Sequence, residues 1–237
     1  MKKLLSVLVL LLVATALFAG FKLEAGGAFE FADIVIFKAE NSWFKNEIAF
    51  RTQGFGFELS ASYYDDYYLM GYAQASMVFP QECLVMEKAV DHDWSKLSGA
   101  TNLSIRLYNF SAGVGYYRDL TTFKLAGGGG LSFNSTVIKY DTSEYTPTVA
   151  TQRTYVYNIG LSAFLDFKYV LNKKIEFGLR ANPQLGLYNI ASVFFTDADG
   201  KDVTAQALEH EGVTGAKANG FRTSFTVPVT VGITYSY

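Results

Sequence analysis

The carboxyl-terminal end of the chain alternates between two classes of residue over 17 positions. The odd positions, mostly apolar, are Phe221, Thr223, Phe225, Val227, Val229, Val231, Ile233, Tyr235 and Tyr237. The even positions are Arg222, Ser224, Thr226, Pro228, Thr230, Gly232, Thr234 and Ser236. A period of two predicts a β-strand about 55 Å long at ~3.3 Å per residue, whereas most strands of globular proteins have ~5 to 6 residues. Strands this long with one apolar face are typical of large barrels or fibres.

The same alternation recurs upstream with the apolar residues again at odd positions. It covers residues 21–31, 55–63, 123–137, 155–169 and 175–187. The odd positions of these segments carry no Asp, Glu, Lys or Arg, although 18% of the chain is charged. A charge on the lipid face of a membrane barrel costs ~2 to 4 kcal/mol at the midplane. The odd positions are therefore predicted to face lipid, and the even positions to face the interior.

Two further strands are predicted from weaker patterns. Residues 67–79 are only partly alternating, and residues 103–116 switch phase near Tyr108, which predicts a bulge there. Residues 44–51 are out of phase with the strand that follows them and are interpreted as a loop-side extension or a bulge. These segments bring the count to eight strands.

The connections between these strands alternate in length. Short turns are predicted near residues 65–66, 118–120 and 170–173. Long loops are predicted near residues 32–46, 80–99, 139–152 and 195–219. An even strand number with alternating short turns and long loops is the pattern of an up-and-down barrel in an outer membrane. The predicted fold class is all-β, an eight-stranded antiparallel up-and-down transmembrane β-barrel over residues 21–237.

The first 20 residues have the pattern of a secretory signal peptide. Met1, Lys2 and Lys3 are followed by an apolar stretch from Leu4 to Val13 and then by small residues, with a cut predicted between positions 16 and 20. A retained transmembrane anchor is the alternative. It is disfavoured because the apolar stretch runs directly into the first alternating segment without stop-transfer charges.

Composition excludes several classes of protein. Twenty basic against 22 acidic residues leave a net charge of -2, which gives no basic excess for binding nucleic acid. The single cysteine, Cys83, excludes a disulfide scaffold. It is expected either as a free or intermolecularly paired thiol or as a thiol buried under a loop. No cofactor is predicted.

Neither a catalytic nor a metal site is predicted. Only His92 and His210 are available as bases, and residues 91–95, Asp-His-Asp-Trp-Ser, match no defensible catalytic motif. The Asp-rich segment 197–202 lacks the bidentate Glu of a calcium loop and is interpreted as a turn. The chain is therefore expected not to be an enzyme, with lipid modification through His92 the least favoured function.

With these features the chain resembles the small eight-stranded outer-membrane barrels of bacteria with two membranes, a group that includes outer-membrane proteins W and X and the transmembrane domain of OmpA. The most specific element is the terminal strand, which is similar to the assembly signal of these proteins. Its residues in that role are Val229, Val231, Ile233, Tyr235 and Tyr237. The terminal Tyr departs from the commoner Phe. The resemblance implies a location in the outer membrane, with lipid and the barrel-assembly machinery as partners, and a monomer is expected.

The even positions predict a charged interior. The residues predicted to face it, Arg106 being added to the even positions of the regular strands, are Lys22, Arg106, Lys124, Lys168, Arg180 and Arg222 against Glu24, Glu30, Glu58, Asp166 and Glu176. Eight strands enclose a space that side chains just fill, so paired ions are expected to close it. The favoured function is a surface protein whose long loops contact a host or envelope ligand. The alternative is a narrow channel for small solutes, whose lumen charges would be Arg106, Lys124, Asp166, Lys168, Glu176 and Arg180.

Overall fold

This computed structural model describes residues 21–65, 67–88, 95–96, 103–141 and 149–236, and these residues form ten strands and one helix. The strands are β1 (Phe21–Ile36), β2 (Glu47–Tyr64), β3 (Leu69–Lys88), β4 (Ser95–Lys96), β5 (Leu103–Leu120), β6 (Phe123–Asp141), β7 (Thr151–Val170), β8 (Ile175–Ala181), β9 (Gln184–Thr196) and β10 (Lys217–Ser236). The helix α1 (Thr204–His210) lies between β9 and β10. The predicted signal peptide, most of residues 91–95 and Tyr237 lie outside the described residues. Among the described residues, no helix is long and apolar enough to cross a membrane.

The strands close into a ring. Sequential strands pair antiparallel around the sheet, and β1 pairs with β10 from Lys22 opposite Ser236 to Asp33 opposite Phe225. Within the described part of the chain the two-residue β4 pairs with β3 alone, and β8 and β9 are two parts of one wall strand between β7 and β10. The described residues therefore form an eight-stranded antiparallel barrel wall, and the predicted fold class is confirmed.

Prolines explain why β8 and β9 are separate. Pro183 lies between them, and Pro228 lies in the part of β10 where the ladder to this wall strand is interrupted. Ala181 opposite Val229 and Gln184 opposite Thr226 have the same register, so the wall continues across the gap without a slip. Proline has no backbone N–H to donate, which accounts for the missing ladder bonds.

One end of the barrel has short turns and the other has long loops. The turns are residues 65–68, 121–122 and 171–174. The Asp65 carboxylate accepts hydrogen bonds from the N–H groups of Tyr67 and Leu69 at 2.9 and 2.7 Å, closing the first turn. Among the loops, 37–46 and 197–216 are fully described. These two ends are called the turn end and the loop end below.

The strands extend further toward the loop end than the alternation predicts. Strand β1 continues to Ile36 and β3 to Lys88, into stretches predicted as loops. At the turn end, strand β5 continues to Leu120, so residues 118–120 are strand and the second turn, 121–122, comes directly after the predicted one. The register between β2 and β3 shifts between Gln53 and Gly54, which places a bulge in β3 beside Pro80.

The outward face of the wall carries a continuous apolar band. On β7, for example, Ile159, Leu161, Leu165, Phe167 and Tyr169 are all exposed. The ten residue steps from Ile159 to Tyr169 give about 33 Å along the strand and, at a tilt of about 40°, about 25 Å along the barrel axis. That height matches the apolar band of a transmembrane β-barrel, which is about 25 Å tall.

Above this band the polarity of the wall is reversed, and this corrects two predictions. Strand β5 pairs with β6 without a register break, so no bulge occurs near Tyr108. Ile105 and Leu107 face inward and are buried, while Arg106 is exposed on the outward face and does not line the lumen as predicted. Strand β2 shows the same reversal without a bulge near its start, with Phe50 buried and Arg51 exposed.

Candidate functional site

Near the turn end, the interior contains a buried ion cluster centred on Arg180. Its guanidinium contacts Asp166 at 2.8 Å and both Glu24 and Glu58 at 3.3 Å. The ammonium of Lys168 lies 2.6 Å from Glu24 and 3.5 Å from Asp166. All five residues are at most 5% exposed. Three carboxylates thus surround two cations, and this ion cluster occupies the β1, β2, β7, β8 and β10 side of the lumen.

Hydroxyl groups complete the ion cluster. The Thr230 hydroxyl donates to Glu58 at 2.7 Å, and the Thr234 hydroxyl donates to Glu24 at 2.8 Å. Arg180 also donates to the Ser60 hydroxyl at 2.7 Å. Because buried charges are stable only when paired and hydrogen-bonded, these neighbours hold the cluster in place.

A second, more accessible ion pair network lies closer to the turn end. Glu176 accepts from Lys22 at 2.6 Å and lies 2.8 Å from Lys124, which also lies 3.5 Å from Asp119. Tyr64 faces the same space, with the Lys22 ammonium 5.0 Å from its ring centre. The lumen mouth at this end is therefore filled by paired ions.

Aromatic side chains close the opposite side of the turn end. Tyr64 and Tyr117 meet edge to face at 4.8 Å, and Tyr72 lies 4.4 Å from Phe164. The Phe164 ring fits because its direct partner on the adjacent strand β6 is a glycine: a Cβ on Gly128 would lie 2.8 Å from the ring and would overlap the backbone oxygen of Val114. The glycines of β6 thus serve packing at a curved wall.

A row of asparagines crosses the middle of the interior. Asn109, Asn134, Asn158 and Asn189 are direct cross-strand neighbours on β5, β6, β7 and β9, and each is at most 5% exposed. Asn109 donates to Glu30 at 2.5 Å, which joins the row to β1. This polar layer separates the ion cluster from the loop end.

The loop end of the interior is apolar. Buried residues from every wall strand meet there: Ala28, Ala32, Ile34, Ile36, Phe50, Val78, Val85, Ile105, Leu107, Ile138, Val156, Ala191, Val193, Phe195 and Ala218. Phe44, Leu208 and Val213 from the two described loops complete this cluster. The barrel is thus closed by apolar packing at the loop end and by ions and aromatic rings at the turn end.

The two described loops pack against each other over this apolar cluster. Trp43 donates its backbone N–H to Gly215 at 2.9 Å, and Gly215 donates to Asn41 at 3.0 Å. The Trp43 ring meets Phe195 edge to face at 4.7 Å. Lys45 and Glu211 form an exposed ion pair at 3.6 Å. Loops 37–46 and 197–216, named the loop cap here, therefore have a defined structure.

Helix α1 is an element of the loop cap that the sequence pattern did not predict. Its seven residues are too few to show a clear helical period, although Leu208 is buried below it. Before it, hydrogen bonds from the hydroxyl and N–H groups of Thr204 hold the pKa of Asp202 below its usual range. Asp197 accepts from the backbone of Asp199 and Lys201, so this segment is a turn. The described residues contain no group of three or more His, Cys, Asp or Glu that would hold a metal.

Cys83 lies on β3 directly opposite Thr52, three residues beyond Pro80 at the bulge. It is exposed, and it lines a surface groove of about 450 Å³ with Asp33, Arg51 and Glu82 among its walls. Although the residue is exposed, partial burial of the thiol raises its pKa to about 11. The side chain is therefore a free and weakly reactive thiol at the height where the wall becomes polar.

The residues predicted to line the lumen fall into three groups. Lys124, Asp166, Lys168, Glu176 and Arg180 face the interior and lie in the two ion networks. Arg106 faces outward, because the apolar side chains beside it fill the loop end of the interior. The side chain of Arg222 lies outside what the structure describes, and so do the side chains of Tyr235 and Tyr237, which belong to the predicted assembly signal. In the predicted assembly signal, Val231 and Ile233 are exposed on the lipid-facing side and Val229 is half-buried.

The closed eight-stranded wall with an outward apolar band defines an integral membrane β-barrel. Neither a protein-family model nor a curated protein sequence matches the chain. Solved structures do match. The structure is similar to Neisserial surface protein A (NspA), with a TM-score of 0.51 and 15% identity over 92% of this chain and 98% of that one. It is also similar to OprG from Pseudomonas aeruginosa, with a TM-score of 0.54 and 14% identity over 92% and 95%.

A third match is a major outer membrane protein from Thermus thermophilus, with a TM-score of 0.54 and 12% identity over 90% of this chain and 99% of that one. At these identities the likeness concerns the fold. The predicted resemblance to small outer-membrane barrels is thereby confirmed at the level of the fold, and the chain has the fold of a small outer-membrane β-barrel.

Proposed function

We propose that this protein anchors a structured binding surface at the loop end and does not conduct solutes. The observation that supports this most is the closure of the interior at both ends by different means. The ion cluster around Arg180 and the Tyr72–Phe164 contact fill the turn end, while apolar packing fills the loop end. A solute would have to break buried ion pairs and then enter a dry apolar layer.

The loop cap supports the binding half of the proposal. Loops that carry binding are usually positioned by a rigid scaffold, and here the barrel holds two loops through backbone hydrogen bonds and buried side chains. The outer faces of both loops remain polar, with Lys45 and Glu211 at the surface. The proposed ligand site is this polar outer face, and the ligand is a host or envelope component.

Electrical conductance tests the closed lumen. The refolded protein is placed in planar bilayers, with folding confirmed by heat-dependent gel mobility. We expect no stepwise conductance. Stepwise conductance that changes in R180Q would contradict the proposal and would favour the narrow channel, with the ion cluster as its constriction.

Adhesion of proteoliposomes tests the loop cap. Vesicles that carry the protein are applied to surfaces coated with fibronectin, laminin or purified outer-membrane fragments. The wild type is compared with a test variant that has a short Gly-Ser link in place of residues 197–216. We expect adhesion to at least one coating, with loss in the variant. Equal adhesion of the folded variant and the wild type would refute a role for this loop.

A further inference from the structure

A cluster of three basic side chains lies on the outward face of the wall, away from the loop cap. Arg106 is on β5, Lys139 on β6 and Arg153 on β7, and all three are exposed. Lys139 is directly opposite Arg153. Arg106 is opposite Val137 and so lies diagonally across from Lys139. Diagonal and direct neighbours on one face are close enough for their side chains to meet the same ligand. These three residues are named the basic patch.

The basic patch carries a net positive charge. Like charges directly opposite each other destabilise a sheet, yet none of the three cations takes part in an ion pair among the described residues. Asp141 lies on the same face, two residues beyond Lys139 and directly opposite Thr151, and its single carboxylate is outnumbered by three cations. By contrast, Arg51 on the outward face of β2 is paired with Asp33 at 3.2 Å.

The height of the basic patch on the wall indicates which kind of anion neutralises its three cations. The next outward residues toward the turn end are Tyr108, Val137 and Tyr155, and the Tyr155 ring contacts Phe194 edge to face at 5.6 Å. On β7 the outward residues Tyr157 and Tyr155 lie between the top of the apolar band at Ile159 and Arg153, where a membrane barrel has its aromatic girdle. The three cations thus lie beyond the lipid chains and the girdle, at the height of the headgroups.

We propose that the basic patch binds the phosphate groups of anionic lipids in the leaflet at the loop end. The planar guanidinium groups of Arg106 and Arg153 match phosphate oxygens in pairs, and Lys139 adds a point charge between them. Clusters of basic residues at a membrane surface recognise anionic headgroups in this way. Soluble phosphate has the same chemistry, but it does not use the adjoining apolar surface that holds a lipid chain beside the patch. This site is independent of any ligand of the loop cap.

Electron spin resonance with spin-labelled lipids measures this preference directly. The full chain is refolded in phosphatidylcholine bilayers that contain trace spin-labelled phosphatidic acid or spin-labelled phosphatidylcholine. The motionally restricted fraction of each label gives its relative association with the barrel. The test variant is R106Q/K139Q/R153Q, and the matched control is R51Q, which removes a paired outward cation. Heat-dependent gel mobility confirms folding, and R153Q alone serves if the triple variant does not fold.

We expect the wild type to prefer phosphatidic acid, and the triple variant to reduce that preference by about five-fold or more, with R153Q giving a smaller reduction. R51Q should keep the wild-type preference. An unchanged preference in the triple variant, or an equal loss in R51Q, would overturn the proposal. Inorganic phosphate at matched ionic strength separates the two sources: if it abolishes the preference, the site binds soluble phosphate and the lipid assignment is wrong.

Discussion

Replacing Arg180 with Met tests whether the ion cluster holds the barrel together. R180M removes the cation that contacts Asp166 at 2.8 Å and Glu24 and Glu58 at 3.3 Å, all of them buried. Lys168 still pairs with Glu24 and Asp166. Glu58 keeps only the Thr230 hydroxyl. The variant thus leaves at least one buried carboxylate without a cation.

The expected loss of stability follows from the number of buried carboxylates left without a cation. Removing one partner of a buried ion pair costs about 3 to 5 kcal/mol, since an uncompensated charge remains in a low dielectric. Neutralising the stranded carboxylate in the double variant E58Q/R180M should therefore restore about 2 kcal/mol of the free energy of unfolding. The exposed turn residue Lys173 is the control, and K173M should change the free energy by less than about 0.5 kcal/mol.

Urea unfolding in phospholipid vesicles measures these differences. The fluorescence of Trp43, which packs on Phe195, reports the loop end, and gel mobility reports the closed barrel. If R180M unfolds within about 1 kcal/mol of the wild type, the ion cluster does not stabilise the barrel. If R180M is destabilised but E58Q gives no recovery, the cost arises from packing around Arg180 and the electrostatic reasoning is refuted.

Three further predictions concern the wall and the loop cap. G128A should lower the free energy of unfolding by about 1 to 3 kcal/mol because the added Cβ meets backbone atoms and the Phe164 ring. The control G27A adds a Cβ with nothing within 4 Å and should leave that free energy nearly unchanged, and urea unfolding measures both variants. The pKa of Cys83 is raised to about 11, so its reaction with maleimide should become about 10-fold faster per pH unit from pH 7 to 9 and should be slower than in the urea-unfolded chain. Stopped alkylation with mass spectrometry measures both rates, and equal rates in the folded and unfolded chain would contradict the raised pKa. L208A should open the loop cap and speed its cleavage by trypsin, because it removes a buried side chain whose packing contributes about 2 to 3 kcal/mol. Gln206 is exposed, so the control Q206A should leave the cleavage rate unchanged.

The alternation predicted the fold because a period of two identifies both the strand and its two faces. The even positions of β7, β8 and β10 face inward as expected, which brought Asp166, Lys168 and Arg180 to one interior. The pairing within that interior was not predictable from spacing. Lys168 and Glu24 are 144 positions apart, and their 2.6 Å contact depends on the register of three successive strand pairings and on the tilt of the wall.

The placement of Arg106 was wrong, and residues 44–51 belong to a loop-side extension of β2 and not to a bulge, for one physical reason. Both segments have apolar residues at the positions that face inward and charged residues at those that face outward. In the membrane the solvent of the outward face is lipid, so apolar residues lie outside; beyond the headgroups that solvent is water, and the ordinary rule of an apolar interior returns. The phase of the strand does not change at the boundary, but the polarity of its faces does.

This reversal converts a sequence pattern into a membrane boundary. A bulge would shift the register, whereas β5 and β6 stay paired residue by residue from Leu103 to Leu120 while their faces exchange polarity near Tyr108. An exchange of polarity between the two faces without a break in pairing therefore marks where a barrel strand leaves the lipid. By that criterion the wall of this protein continues past the headgroups, the part of its apolar core around Ile105 and Leu107 lies beyond the lipid, and the outward cations of the basic patch lie near the crossing point.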